Sequence, residues 1–342
     1  MPHSFFGSRR TLLAFICATV LCGAGGGCGG SDGGGASDDA APQRVFRIAV
    51  IPKGTSHDFW ASVRAGAEKA AAEFDDVEIT WKGPLTEGDT AKQIETVEGF
   101  IADGYDGICL APCDAVALRR PVDQAIGNGV PIVIFDSGLK DMDGIVSYVA
   151  TNNERGGQVA GEYLAELLGG SGTVVVMRYD LNSESTDLRE KGFLAALRPF
   201  EGIELISTDK YAGPTESDAI ELAENLMANF GDQVAGIFCP NQSTASGMLT
   251  VLRRDQRGLA GKVKFVGFDS GDNIVSGLEK GDLNATVLQD PVKMGYQAVE
   301  AMRNHLLGEE VPARVETQEV LAKTDNLDDP TVRELLYPEA AD

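Results

Sequence analysis

The sequence predicts an α/β protein of two Rossmann-like lobes, each a doubly wound parallel sheet. Three observations predict it. From residue 44 onward, segments with strand and helix periodicity alternate. The alternation restarts near residue 156, so one series of βαβ units is followed by a second. Several strand segments are apolar without interruption, as in Ile132-Val133-Ile134-Phe135, which suits a parallel sheet covered on both faces. At 342 residues the chain is long enough for two domains, each with its own core.

The first half opens with a strand over residues 45–51. A helix over 59–74 follows, because Phe59, Val63, Ala67, Ala70 and Phe74 recur at helical spacing. A strand near 77–81, a helix through 91–102 and a strand at 107–110 come next. A helix over 115–126, a strand at 131–135 and a short strand at 145–150 complete this half. The second half reads as helix 156–168, strand 173–178, helix 186–197, strand 203–207 and helix 217–229. Strand 234–239, helix 245–254, strand 263–268 and a short strand at 285–288 follow.

Ahead of the first lobe the composition changes. Arg9 and Arg10 precede an apolar run over 11–21, which is the length of an export signal's core and too short for a lasting membrane span. Small residues then lead to Cys28, and a Gly/Ser/Asp/Ala tract covers 29–43. The arrangement resembles a bacterial lipoprotein signal with Cys28 as the lipidated residue, although Gly25 stands where that pattern prefers leucine. The Ser8-Arg9-Arg10 triplet leaves twin-arginine export open beside the general route. The tract after Cys28 cannot bury enough apolar surface to fold, so it reads as a tether.

The formal net charge is -23. Such a surface repels phosphate backbones and anionic headgroups, which argues against nucleic acid as a partner and leaves lipid at Cys28 as the membrane contact. Cys109, Cys113 and Cys239 remain beyond the signal. Their odd number and spacing make neither a disulfide framework nor a zinc site. Cys109 and Cys239 read as buried apolar residues, while Cys113, in a loop after Pro112, is expected to be more exposed. No glycine-rich nucleotide fingerprint follows any strand, so no cofactor or metal is expected.

Open α/β sheets bind ligands at the carboxyl ends of their strands. Beyond the first strand stand Lys53 to Trp60, including His57 and Phe59. Ala111 to Asp114 follow the third strand, and Asp136-Ser137-Gly138 the fourth. In the second half Asn241-Gln242-Ser243, Asp269-Ser270 and Gln289-Asp290 hold corresponding places. Carboxylates accept from hydroxyls, amides donate and accept, and Phe59 or Trp60 can face sugar C–H groups unless it only begins the helix's core face. The pattern suits a neutral polyol.

These segments also carry a resemblance. Ile48-Ala49-Val50-Ile51 with Asp58-Phe59-Trp60, Pro131 to Ser137, Ala150 to Gly157, Arg189 to Phe193, Val266 to Asp269 and Gln289-Asp290-Pro291 together resemble the periplasmic sugar-binding proteins of the ribose and galactose type, over about residues 46–325. The resemblance implies an ABC transporter's substrate-binding component whose lobes are joined by a three-crossing hinge, near 151–153, 286–290 and 314–319. It divides the chain into a signal (1–28), a linker (29–43), a first lobe (44–151 with 290–314) and a second lobe (152–289 with 315–330). It implies ligand roles for His57, Phe59, Asp136, Arg189, Asn241, Asp269 and Gln289, and the strand-end reading adds Trp60 and Ser137 to the expected site. Two departures stand out: Ala111 replaces a site amide, and Ser137 replaces an arginine that ribose-type members pair with the acid.

The expected function is capture of a small polar ligand, a sugar or polyol, outside the cytoplasm by a lipid-anchored monomer that serves an ABC permease. A receptor for a signalling molecule that feeds a sensor keeps the same fold. A sugar-modifying enzyme is disfavoured, since enzymes need positioned acid–base or nucleophilic groups. Of the three histidines, only His57 reaches the expected cleft. A repressor of this fold would begin with a helix-turn-helix and a basic surface, and this chain has neither.

Overall fold

The structure, a computed structural model, describes residues 44–338. The signal, Cys28 and the linker lie outside the described residues. Among the described residues, no helix is long and apolar enough to cross a membrane.

In the first lobe β1 (Phe46–Ile51), β2 (Val77–Trp81), β3 (Gly107–Leu110), β4 (Ile132–Phe135) and β5 (Ser147–Thr151) alternate with α1 (Asp58–Glu73), α2 (Thr90–Ala102) and α3 (Arg119–Gly127). In the second lobe α4 (Asn153–Leu167) leads to β6 (Ser171–Arg178), α5 (Glu184–Leu197), β7 (Gly202–Tyr211) and α6 (Glu216–Phe230). Then come β8 (Gly236–Phe238), α7 (Gln242–Arg254), β9 (Lys264–Phe268), α8 (Asp272–Lys280) and β10 (Ala285–Leu288). The chain finishes with α9 (Pro291–Leu306), β11 (Arg314–Thr317), β12 (Val320–Lys323) and α10 (Pro330–Leu336).

The strands form two six-stranded sheets, ordered β11-β5-β4-β3-β1-β2 and β12-β10-β9-β8-β6-β7. All pairings are parallel except β12, which runs antiparallel to β10. Apart from the edge strands β11 and β12 the two orders are equivalent, and each reverses direction beside its first strand. That reversal opens a crevice at the carboxyl ends of β1 and β3, and of β6 and β8.

Alternation along the strands builds the cores. Ile48 and Val50 face α1 and α9, while Ala49 and Ile51 face α2 and α3. In the second sheet Val174 and Val176 face α4 and α5, and Val175 and Met177 face the other way. Burial on both faces explains the continuous apolar runs. One pair of helices in each lobe crosses at backbone distance. A Cβ on Gly66 of α1 would stand 1.8 Å from the Val292 carbonyl of α9, and one on Gly192 of α5 would stand 2.0 Å from the Glu154 carbonyl of α4.

The chain passes between the sheets at Asn152, at residues 289–290 and between β11 and β12. The third passage corrects the expected boundary after residue 314. β11 pairs with β5 of the first sheet from Arg314 to Thr317, so residues 315–317 belong to the first lobe. The helix expected from residue 115 begins at Arg119, because Asp114 Oδ1 accepts from the amides of Val116 and Ala117, each at 2.8 Å, and folds those residues into a turn. β7 runs to Tyr211, beyond its expected end at 207, and α8, α9 and α10 are helices that the sequence reading did not place. Cys113 is not exposed: it is 6% accessible and packs in the core against α2 and α3.

Gly192→Ala is expected to force α4 and α5 apart and to cost about 1–3 kcal/mol or more in denaturant unfolding. Gly99→Ala in α2, where a Cβ meets nothing within 4 Å, is expected to add about 0.5–1 kcal/mol. Equal effects from the two substitutions would contradict the packing account.

Candidate ligand-binding site

The carboxyl ends of both sheets border a small polar cleft lined from both lobes. The first lobe lines it with Lys53, His57, Phe59, Trp60, Glu87 and Asp136. The second lobe supplies Tyr179, Ser185, Thr186, Arg189, Asn241, Gln242 and Asp269, and Gln289 comes from the second crossing. A wider depression of about 1350 Å³ shares Phe59, Asp269 and Gln289 with it but lies against α8 and α10 and is lined largely by residues such as Val275, Leu335 and Leu336. The smaller cleft, which concentrates the charged groups, is the candidate site.

Asp136 and Asp269 end equivalent strands, β4 and β9. Both have left-handed backbones, φ 60° and 68°, a conformation that aspartate tolerates better than most residues. Their amides still bond to the neighbouring strands, at Val149 and Val287. The turn releases the chain from the sheet and leaves each carboxylate on the cavity wall. The repeat Phe-Asp-Ser-Gly at 135–138 and 268–271 is the sequence trace of this duplication.

The ionisable groups of the wall fall into three acid–base pairs. Lys53 Nζ lies 3.0 Å from Asp136 Oδ2. Arg189 lies 3.7 Å from Asp269. His57 Nδ1 lies 2.9 Å from Glu87 Oε1. With His57 protonated, the six groups sum to zero charge. Burial works against ionisation of Glu87, but His57, by hydrogen bond and charge, with Lys53 and the Tyr179 hydroxyl, holds its pKa down at about 2. Burial likewise works against protonation of His57, yet Glu87 chiefly, with Asp269 and Asp58, raises its pKa. Asp269, unlike Glu87, is shifted upward: burial raises its pKa, only partly opposed by Arg189, Gln289 and the Gln242 amide.

Eight of the nine residues expected at the site line the cavity. The exception is Ser137, which is fully buried, and its hydroxyl accepts from the Ser185 amide of the other lobe at 3.0 Å. His57 occupies the N-cap of α1 without capping it, its ring turned to Glu87. Trp60 is both core and wall: it is 2% exposed, meets Phe135 edge-on and donates Nε1–H to Glu87 at 2.6 Å. Phe59 is less buried and stands between the cavity and the wider depression. Asn241 caps α7, its Oδ1 accepting from the Thr244 amide and hydroxyl. Arg189 stacks on Phe268 at 3.9 Å and donates to Asn153 and the Pro240 carbonyl. Gln289 gives Nε2–H to Asp269 Oδ1 at 2.7 Å, and its buried Oε1 has no partner.

Sequence reasoning missed Lys53, Glu87 and Tyr179 as site residues. Lys53 and Tyr179 lie just beyond β1 and β6, so the strand-end rule reaches both. Glu87 carries no such signal, being one acid in a polar loop. Among the described residues no cluster has the makings of a metal site.

The Glu87–His57 pair predicts a pH window. A carboxylate with a depressed pKa stabilises the fold above its ordinary value of 4.5, and that contribution is lost as pH falls toward about 2. A histidine with a raised pKa contributes fully below 6.5 and loses its share as pH rises through the folded value. The stability difference between the wild type and Glu87→Gln is expected to be largest between about pH 4.5 and 6.5, on the order of 3 kcal/mol. Thermal unfolding of both proteins across pH 2–9 checks this, and a flat difference would contradict it.

Known proteins place this geometry. A family model described as a periplasmic binding protein domain matches residues 48–310. The ribose import binding protein of Haemophilus influenzae is 27% identical over 279 residues, covering 82% of this chain and 91% of its own. The D-allose-binding periplasmic protein of Escherichia coli is 27% identical over 265 residues, covering 74% and 82%. An ABC transporter solute-binding protein of Agrobacterium vitis, solved with D-fucose, is similar at a TM-score of 0.81 and 30% identity, covering 85% of this chain and 100% of that one. The family-model match over residues 48–310, most of the chain, leads to one conclusion: the protein belongs to the periplasmic binding protein domain family.

Proposed function

We propose that this protein captures an uncharged sugar or polyol between its lobes, outside the cytoplasm, and delivers it unchanged to an ABC permease. The observation that carries the reading is Gln289 Oε1, an acceptor buried without a partner on the wall of the polar cleft between the lobes. A ligand hydroxyl would satisfy it, and leaving it bare costs free energy. The balanced charges around it favour a neutral ligand, because a phosphate or carboxylate would add an uncompensated charge where desolvation is severe. Hydroxyls would donate to Asp136, Asp269 and Gln289 and accept from Arg189, His57 and Lys53, while Phe59 and Trp60 face the ring. The ribose- and D-allose-binding relatives, and the neighbour solved with D-fucose, support this chemistry.

The three acid–base pairs also speak for binding rather than catalysis, since each titrating group is already held by a partner of opposite charge. Closure of the hinge would bring both lobes onto one ligand. Cys28, with the small residues before it and the tether after it, is proposed as the acylated anchor that keeps the protein at the membrane beside its permease.

A thermal-shift screen of D-ribose, D-allose, D-fucose, xylitol, nucleosides, sugar phosphates and autoinducers tests the reading. A neutral sugar or polyol is expected to raise the melting temperature in proportion to the logarithm of its concentration, and sugar phosphates are not. With the best ligand, calorimetry on Asp136→Ala, Asp269→Ala and Gln289→Ala is expected to show roughly ten- to hundredfold weaker binding for the two carboxylate variants, and a smaller loss for Gln289→Ala. Wild-type affinity in all three would place the ligand elsewhere.

Anchoring has its own test. Cys28→Ser is expected to move the protein from the membrane fraction to the soluble one, because stable attachment takes more than one acyl chain on the residue that is lost. A wild-type protein that is already soluble, with an unmodified N-terminus beyond residue 28, would refute the anchor.

A further inference from the structure

The loop between β6 and α5 joins the lobes through protein atoms alone. The Asn182 carbonyl accepts from the Ala115 amide at 3.0 Å, and its side chain donates to Asp114 at 3.2 Å. Glu184 Oε2 accepts from two first-lobe donors, the Gly138 amide at 2.8 Å and the Tyr148 hydroxyl at 3.0 Å. The Ser185 amide donates to Ser137 Oγ at 3.0 Å, and the Ser185 hydroxyl accepts from Lys53 at 3.1 Å. At the start of the loop, Tyr179 donates to Glu87 at 2.5 Å.

Glu184 and Ser185 grip the two residues that follow Asp136. The left-handed turn that aims this carboxylate is thus fixed on its far side by the opposite lobe. The contact is close: a Cβ at position 138 would stand 3.0 Å from Glu184 Oε1. A bulkier residue than glycine would push the carboxylate away from the amide it accepts from.

We propose that Glu184 is a positioning residue, the centre of a clasp at residues 182–185 that fastens the closed lobes without ligand and holds the Asp136 turn ready for it. The inference rests on the hinged, ligand-capturing reading above. A clasp of this kind gives the ligand-free protein a closed population of its own. The ligand then meets a site that is partly organised, and less of its binding free energy goes into closure. Individual hydrogen bonds of this sort gain little over water, so the effect depends on several forming together.

The test needs no ligand, which separates its failure from failure of the sugar-binding reading. Nitroxide labels on exposed helix positions of the two lobes report their separation in the full chain. Without any sugar, the wild type is expected to show a short-separation population, which Glu184→Ala loses. Glu184→Gln is expected to restore it, because an amide oxygen can accept from both Gly138 and Tyr148. Circular dichroism and melting curves establish that both variants are folded. A wild type found only at the long separation overturns the proposal, as does an alanine variant with the wild-type distribution. If Glu184→Gln behaves like the alanine variant, the carboxylate serves only as an acidic residue in the first turn of α5, and the proposal fails.

Discussion

Asp136 and Asp269 leave their strands in the left-handed region, and the site depends on that departure. A residue continuing the strand would alternate into one face of the sheet and be covered by a helix. The left-handed turn instead ends the strand, keeps the amide bonded to the next strand and leaves the carboxylate at the sheet's carboxyl edge. Non-glycine residues pay for this conformation with about 1–3 kcal/mol where the surroundings impose it. Because β4 and β9 hold equivalent places in two equivalent sheets, one device used twice gives each lobe one carboxylate for the same cavity.

Charge balance follows from that placement. Two buried carboxylates would be costly alone, and each has a cation from its own lobe, Lys53 or Arg189. Buried pairs of this kind rarely add net stability, because desolvation offsets the attraction, but removing one partner is severe. Their value here lies in orientation. Lys53 and Arg189 fix the acids while leaving the cavity neutral. Glu87 extends the scheme by gathering the Trp60 indole, His57 and, from across the cleft, the Tyr179 hydroxyl. Among the described residues that line the cleft, Gln289 Oε1 is the buried side-chain acceptor left without a partner.

The same frame links the hinge to the site. Gln289 stands where the chain crosses from β10 to α9, and its amide is held by Asp269. Contact with a ligand at this residue would act on the connecting segment as well as on the cavity wall. On the opposite side of the cleft, the loop at 182–185 reaches the Asp136 turn. A ligand in this cleft would therefore be bracketed by one contact at the hinge segment and one at the loop that joins the two lobes.

The sequence by itself determined the architecture. Uninterrupted apolar strands such as 132–135, helical spacing from Phe59 to Phe74, and a restart of the pattern near 156 require two helix-covered parallel sheets, since burial pattern is a local property of the chain. It also put Asp136, Asn241, Asp269 and Gln289 at strand ends, where such sheets bind. Tertiary structure decided the partners. Whether Ser137 faces the cavity or the Ser185 amide depends on a loop 48 residues away. Glu87 becomes the centre of a network only because Tyr179, 92 residues distant, arrives across the cleft. β11 joins the first sheet rather than the second because its register is offered by β5, a choice set by hydrogen-bonding edges that exist only once both sheets have formed. Side-chain chemistry is written residue by residue, but the pairing of buried polar groups is satisfied between segments, and so it is legible only in the folded chain.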